Sequence, residues 1–473
     1  MSAEHTRQHR ALRGGITGLV VLILWFLPPP AGVGLKAWHL LALFAATIVG
    51  IILQPLPMGA VAIIGMTATA LTTTLTPAEA LTGFANGTVW LVFAAFLFSC
   101  GLTQTGLGQR IAYWFIWACG RRTLGLAYAL LLSDLVLAPG TPSSAARCGG
   151  IIFPIVRSLA AAFHSEPGPT AGRIGRFLML NSYHGGVIIS SMFMTAGATG
   201  PLIAELARKT TGAELTWAGW ALAALLPGLV SLLVMPLVLY ALARPEVTAT
   251  PEAAALAREQ LVRMGRMPRA QWVVLGVFVL AVGLWVTGHL THIDATVVAL
   301  LGVGLMLAGG GITWQDVLAE KHGWDALIWF GAVVGMADML ARLGFFRWFS
   351  AFVAGHVKGW AWLPTLVVLL AIYLYSHYAF ATQTAHVTAM FVPFLTVAVA
   401  AGAPPVLTAL SLGYISHLNA CLTHYGTGMS PIYYGAGYTD LRTWWGFGFL
   451  ASLLHVAIWL GLGPFYWKAL GMY

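Results

Sequence analysis

Long apolar stretches alternate with short polar ones along the whole chain. Residues 15–33, 37–55, 217–243, 271–289, 294–310 and 443–463 contain no Lys or Arg, and Lys36 separates the first two. A helix needs about 20 apolar residues to cross a hydrocarbon core. Backbone facing lipid must satisfy its own hydrogen bonds, which leaves helices or closed barrels. Uncharged runs of this length predict an all-α integral membrane protein with roughly a dozen helical segments.

The breaks in this pattern carry as much information as the runs. Arg121 and Arg122 precede segment 123–156, and Arg157, Arg173 and Arg176 follow it. Both ends therefore face one side, and the segment must turn back. Its centre, from Ala138 to Ala145, holds Pro139, Gly140, Pro142 and small hydroxyl residues, which are poor helix formers. A re-entrant helical hairpin over about 123–156 is expected, its tip inside the membrane. Irregular backbone at that depth survives only against protein or a cavity.

The second half repeats the layout. Pro154 follows Trp90 by 64 residues, and Pro393 follows Trp329 by the same 64. At this offset of 239, Ser143, Ser144 and Ala145 fall on Thr382, Gln383 and Thr384, Ala146 on Ala385, and Arg147 on His386. Gly106 and Gly344 correspond one residue out of phase. A second re-entrant hairpin is expected over about 360–396. Each half also has a later Gly-rich interruption, Thr195 to Pro201 and Thr423 to Pro431. These predict two broken transmembrane helices, about 177–205 and about 404–435.

Charge sets the orientation. Arg7, Arg10 and Arg13 precede the first run, so the N-terminus is expected in the cytoplasm. The apolar run after them ends at Pro28, Pro29 and Pro30 without a convincing cleavage site, and reads as a retained helix. The polar stretch 244–270 holds Arg244, Arg258, Arg263, Arg266 and Arg269 and reads as a cytoplasmic linker. Residues 1–243 and 271–473 then form inverted repeats, an arrangement typical of secondary transporters. A short surface helix is expected within 246–260.

Composition narrows the class. Hydrophobic residues make up 59% of the chain and charged residues 8%, against about 25% charged in soluble domains. The formal charge of +9 is spread over loops, which fits membrane orientation and argues against nucleic acid as a partner. Cys100, Cys119, Cys148 and Cys421 form no metal-like spacing; neither a metal site nor a cofactor is expected. No paired carboxylates or metal cluster supports a membrane-embedded enzyme, and broken helices around one site favour alternating access over a channel.

Small hydroxyls and backbone N–H groups at the interruptions suit reversible binding of carboxylate oxygens. The candidate substrate ligands are Ser143, Ser144, Thr382, Gln383, Thr384, Thr195, Thr199, Gly200, Thr427 and Gly428. Arg147 and His386 are candidate charge-compensating groups, because an ionisable residue within the membrane is costly to keep there. Arg147 could instead snorkel to the interface, and His386 could be a satisfied packing residue. Asp134 and Asp338 could pair with a cation, relay protons or cap locally. Trp444 and Trp445 read as interface anchors.

The run Thr141, Pro142, Ser143, Ser144, Ala145, Ala146, Arg147, Cys148, Gly149, Gly150 to Pro154 resembles the first tip of the divalent anion–sodium symporter superfamily. The closest branch is that of citrate/succinate and 2-oxoglutarate/malate antiporters. Tyr378 to Val387, Ser190 to Thr195, Leu422 to Gly428, Gly435 to Tyr438 and Thr443 to Trp445 extend the resemblance over essentially the whole chain. It implies a homodimer with a scaffold and a moving part, working as an elevator-type transporter of di- and tricarboxylates (2-oxoglutarate, malate, succinate, citrate or tartrate) by exchange in an inner membrane. It also implies that the cationic residues after the tips replace sodium. A Na⁺- or H⁺-coupled symporter on the same fold is the competing reading. Four positions depart from the family pattern: Ser144 and Ala145 where Asn and Thr are usual, Gly200 where Asn is common, and Thr382 where Ser is usual.

Overall fold

The computed structural model describes residues 3–473 apart from Lys358 and Ala381, with side chains left out for residues 3–10 and His289. Among the described residues the named elements are all helical, and ten helices are long and apolar enough to cross a membrane. The protein is a multi-pass membrane protein.

In chain order α1 is Ala3–Phe26, α2 Leu35–Leu53, α3 Met58–Leu71, α4 Gly87–Gln104 and α5 Leu107–Cys119. Then come α6 (Thr123–Leu137), α7 (Phe153–Ala162), α8 (Gly175–Met192), α9 (Thr199–Thr211) and α10 (Trp217–Leu242). The polar stretch carries α11, Pro251–Arg263, as the linker composition suggested. The second half holds α12 (Arg269–Val286), α13 (Ala295–Gly309), α14 (Lys321–Arg342), α15 (Phe345–His356), α16 (Trp362–Ser376) and α17 (Gln383–Ala400). It ends with α18 (Pro405–Leu418), α19 (Ser430–Gly435), α20 (Leu441–His455) and α21 (Gly463–Ala469).

After α6 a 3₁₀ turn at Ala138–Gly140 leads into extended backbone at Thr141. The chain returns through a π-helical turn at Ala145–Ile152 and α7. Pro154 explains the widening: it has no N–H for the carbonyl of Gly150. A second π turn, Val456–Leu462, likewise runs into Pro464. Between α16 and α17 a 3₁₀ turn at His377–Ala379 plays the corresponding part. Helix α8 stops at Met192 and resumes as α9 at Thr199; α18 stops at Leu418 and resumes as α19 at Ser430.

Two glycines set the entry to α5 and α15. Gly106 and Gly344 have φ of +72° and +81° and precede those helices directly. A side chain is strained in this left-handed region, so the pair noticed in the sequence marks equivalent sharp corners. Packing divides the helices. α1–α4 and α12–α14 associate mainly with one another, as α4 does with α13 and α3 with α14, while α5 packs on α6 and α11 and α15 packs on α17 as well as α14. α6–α10 and α16–α21 likewise associate with one another, as α8 does with α10 and with α18.

Candidate functional site

The two turns and the two helix breaks meet. Ser144 Oγ lies 3.0 Å from Thr427 Oγ1, joining the first turn to the second break. Gln383 Nε2 donates to the carbonyls of His417 and Ser416 at 3.0 and 3.2 Å, joining the second turn to the end of α18. Thr199 Oγ1 is 3.0 Å from His417 Nε2, joining the two breaks. Thr195 donates to the Pro139 carbonyl at 2.5 Å and accepts from Trp217 Nε1 at 2.9 Å. Residues from four separate segments thus form one cluster.

Within it the candidate ligands differ in freedom. Ser143, Ser144, Thr382, Gln383 and Thr384 are half-buried, and Gly428 is exposed beside Ala145. Ser143 Oγ accepts from the Ala146 N–H, and Thr382 Oγ1 from the Ala385 N–H at 3.1 Å, so both cap the helical turns that follow. The Thr384 hydroxyl has no hydrogen-bond partner among the described residues. Thr195 and Thr199 are buried with their hydroxyls engaged. Gly200 is buried, and a Cβ there would overlap the Met194 carbonyl. Only glycine fits that close backbone approach, which accounts for the departure at this position.

Arg147 is fully buried, which excludes snorkelling. Its Nε donates to Asp134 Oδ1 at 2.6 Å. Nη1 reaches the carbonyls of Thr141 and Ala196 at 3.3 and 3.2 Å. Nη2 reaches Ser190 Oγ at 2.9 Å and the Gly186 carbonyl at 3.4 Å. All five donors of the guanidinium are used, on oxygens from α6, the first turn, the first break and α8. Asp134 is therefore a buried partner of Arg147 rather than a local cap. The pair is formally neutral, so any charge Arg147 lends to an anion is shared with Asp134.

His386 is also fully buried. Its Nε2 lies 2.9 Å from Ser376 Oγ, which donates to the Tyr373 carbonyl at 2.9 Å. Its Nδ1 lies 3.4 Å from the Asn419 side chain. The neighbouring His377 is 3.2 Å from the Gly426 carbonyl. The two cationic-type residues thus play matching parts, each tying a turn to a break. Ser376, Asn419 and His417 complete this network and were not singled out from sequence, because each is an ordinary polar residue inside an apolar run. Asp338 lies elsewhere, on α14, paired with Lys209 of α9 and with Arg342 of its own helix. Trp444 is a correction: it is 2% exposed and packs on Tyr183 at 4.5 Å, not at an interface. Trp445 keeps an exposed ring.

The family described as "Sodium:sulfate symporter transmembrane region" matches residues 9–473. The chain belongs to this family. YflS of Bacillus subtilis (strain 168), provisionally named a malate transporter, is 49% identical over 97% of this chain and 96% of its own. "Dicarboxylate transporter 1, chloroplastic" of Spinacia oleracea is 47% identical over 96% of this chain and 80% of its own. The Escherichia coli (strain K12) inner membrane protein YbhI is 36% identical over 95% of both. These are transporters and membrane proteins, not enzymes, and the dicarboxylate names agree with the branch that the turn motifs resemble.

Proposed function

We propose that this protein exchanges dicarboxylates across a bacterial-type inner membrane without sodium, the substrate lying against Ser143, Ser144, Thr382, Gln383 and Thr384. The observation that carries the reading is the environment of Arg147. A carboxylate, three backbone carbonyls and a serine hydroxyl converge on its guanidinium at 2.6–3.4 Å. Oxygen cages at broken helices are where transporters of this kind hold Na⁺. Here a permanently charged side chain fills the cage, which leaves no role for a dissociable ion at that point. His386, between Ser376 and Asn419, takes the equivalent place beside the second turn.

On the same reading, residues 1–243 and 271–473 are inverted repeats joined by a cytoplasmic linker at 244–270, with the N-terminus inside. The turns at 138–144 and His377–Ala379 are the tips of re-entrant hairpins that open to opposite sides. α1–α5 and α12–α15 act as the scaffold of a homodimer, and α6–α10 with α16–α21 as the part that moves like an elevator. Malate, succinate and 2-oxoglutarate are the leading substrates, with citrate and tartrate next; the chloroplast dicarboxylate relatives support the choice of class.

A sodium-coupled symporter is the second reading, favoured by the name of the family. Proteoliposomes separate the two. Vesicles preloaded with malate are given labelled malate, succinate, 2-oxoglutarate, citrate or tartrate outside, in Na⁺ or in K⁺. Uptake that needs internal anion and ignores Na⁺ supports exchange. Uptake into empty vesicles that needs Na⁺ overturns it.

A further inference from the structure

Three polar bonds cross between the two helix groups. Helix α9 ends with Glu205, Arg208 and Lys209 in its last two turns. Glu205 Oε1 accepts from Asn86 Nδ2, just before α4, at 2.9 Å. Lys209 Nζ lies 3.3 Å from Asp338 Oδ1 and 3.3 Å from the Val334 carbonyl, both on α14. Among the described residues these are the only side-chain polar links between α6–α10 with α16–α21 and α1–α5 with α12–α15. The rest of that boundary is apolar packing and an open recess with no side-chain bond across it among the described residues, and the linker bonds lie outside it.

Apolar contact is non-directional, so it permits sliding from one register to another. Hydrogen bonds and ion pairs have fixed geometry and select one register. Glu205 and Lys209 are 5% and 6% exposed, so water screens their bonds weakly.

The cluster is also built to come apart. Glu205 is held by Arg208 at 2.9 Å and by Lys209 at 3.3 Å on its own helix. Asp338 is held by Arg342 at 2.9 Å on its own helix. Three cations share two acids, so both acids keep a partner when the groups part. No carboxylate is stranded, which is the step that makes breaking a buried pair expensive. A cavity of about 340 Å³ lined by Asn86, Arg208, Lys209, Asp338 and Arg342 adjoins the cluster. It is large enough for several waters to solvate the separating groups.

We propose that Lys209, together with Glu205, Asn86 and Asp338, is a latch that fixes the relative register of the two helix groups and opens in every transport cycle. The proposal rests on the moving-part reading above, and the test separates the two.

Thr88 and Glu214 line opposite sides of a recess of about 580 Å³ along the same boundary. Spin labels on Thr88→Cys and Glu214→Cys, with the four native cysteines replaced, give a distance distribution in proteoliposomes. Saturating malate on both sides of the intact latch should populate two distances. Lys209→Met leaves Glu205 with Arg208 and Asp338 with Arg342. It should raise the second distance over the first about tenfold, equal to about 1.4 kcal/mol. Asp338→Asn should shift the ratio the same way, and serves if Lys209→Met does not assemble. Malate KM should hold while kcat changes. Two distances whose ratio neither variant alters would overturn the latch. A single distance in protein that exchanges malate would overturn the moving-part reading itself.

Discussion

Replacing Arg147 by Ala tests the proposed cation cage most directly. The variant leaves the Asp134 carboxylate, the Thr141, Gly186 and Ala196 carbonyls and the Ser190 hydroxyl around an empty volume. Asp134 is 3% exposed, and among the described residues the only other hydrogen-bond contact of its carboxylate is Cys148 Sγ at 3.6–3.7 Å. Stranding one member of a buried pair costs about 3–5 kcal/mol, a large share of the ~5–15 kcal/mol by which a domain is stable. Thermal unfolding should therefore start well below the wild-type temperature in choline chloride. Sodium should reverse part of the loss, since the vacated oxygens suit a hard cation. At a sodium concentration 100 times Kd the gain is about 2.7 kcal/mol. Wild type should show no such gain. Adding Asp134→Asn removes the stranded charge, so the double variant should recover stability without sodium while transporting nothing. Unfolding of Arg147→Ala that is indifferent to sodium, or normal exchange by the double variant, would refute the cage.

Three further outcomes are expected. Ser144→Cys, in a background lacking the other cysteines, should react with a small thiol reagent and be protected by the transported anion; equal labelling with and without any anion of the panel removes the turn from the site. His386→Ala should lower kcat for malate exchange at least tenfold, because it breaks the Ser376–His386–Asn419 link, and kinetics equal to wild type would leave His386 a packing residue. Gly200→Ala should assemble poorly or not transport, since its methyl overlaps the Met194 carbonyl; wild-type abundance and uptake would show that the α8–α9 break tolerates a side chain.

Much of the architecture was readable from the chain because lipid imposes strong rules. The segment 123–156 holds α6 and the start of α7, and the segment 360–396 holds α16 and most of α17. Pro139, Gly140 and Pro142 mark the first turn, whereas the second turn at His377–Ala379 holds neither Pro nor Gly, and Pro227 and Pro236 lie inside the continuous helix α10. The two breaks fall at 193–198 and 419–429, a few residues before the Gly-rich signals, because the unwound segment starts where side chains from other elements cap it. Partnerships were harder to read. Asp134 is 13 residues before Arg147, and only the π turn after the first tip brings the two together. Ser376, His417 and Asn419 carry no pattern that separates them from helix-internal polar residues. The tie of Lys209 to α14 depends on a helix more than a hundred residues later in the chain.

The buried Arg147–Asp134 pair has a consequence for membrane voltage. The Arg147–Asp134 pair adds no net charge to the part that carries the anion, and in obligatory exchange whatever charge that part holds crosses once in each direction and cancels. Exchange of one dianion for another is then electroneutral and indifferent to voltage. Exchange of a dianion for a trianion moves one charge per cycle, worth about 2.3 kcal/mol per 100 mV. With citrate as one of the two anions, the membrane potential would set the direction of net exchange, while malate against succinate would follow concentration alone.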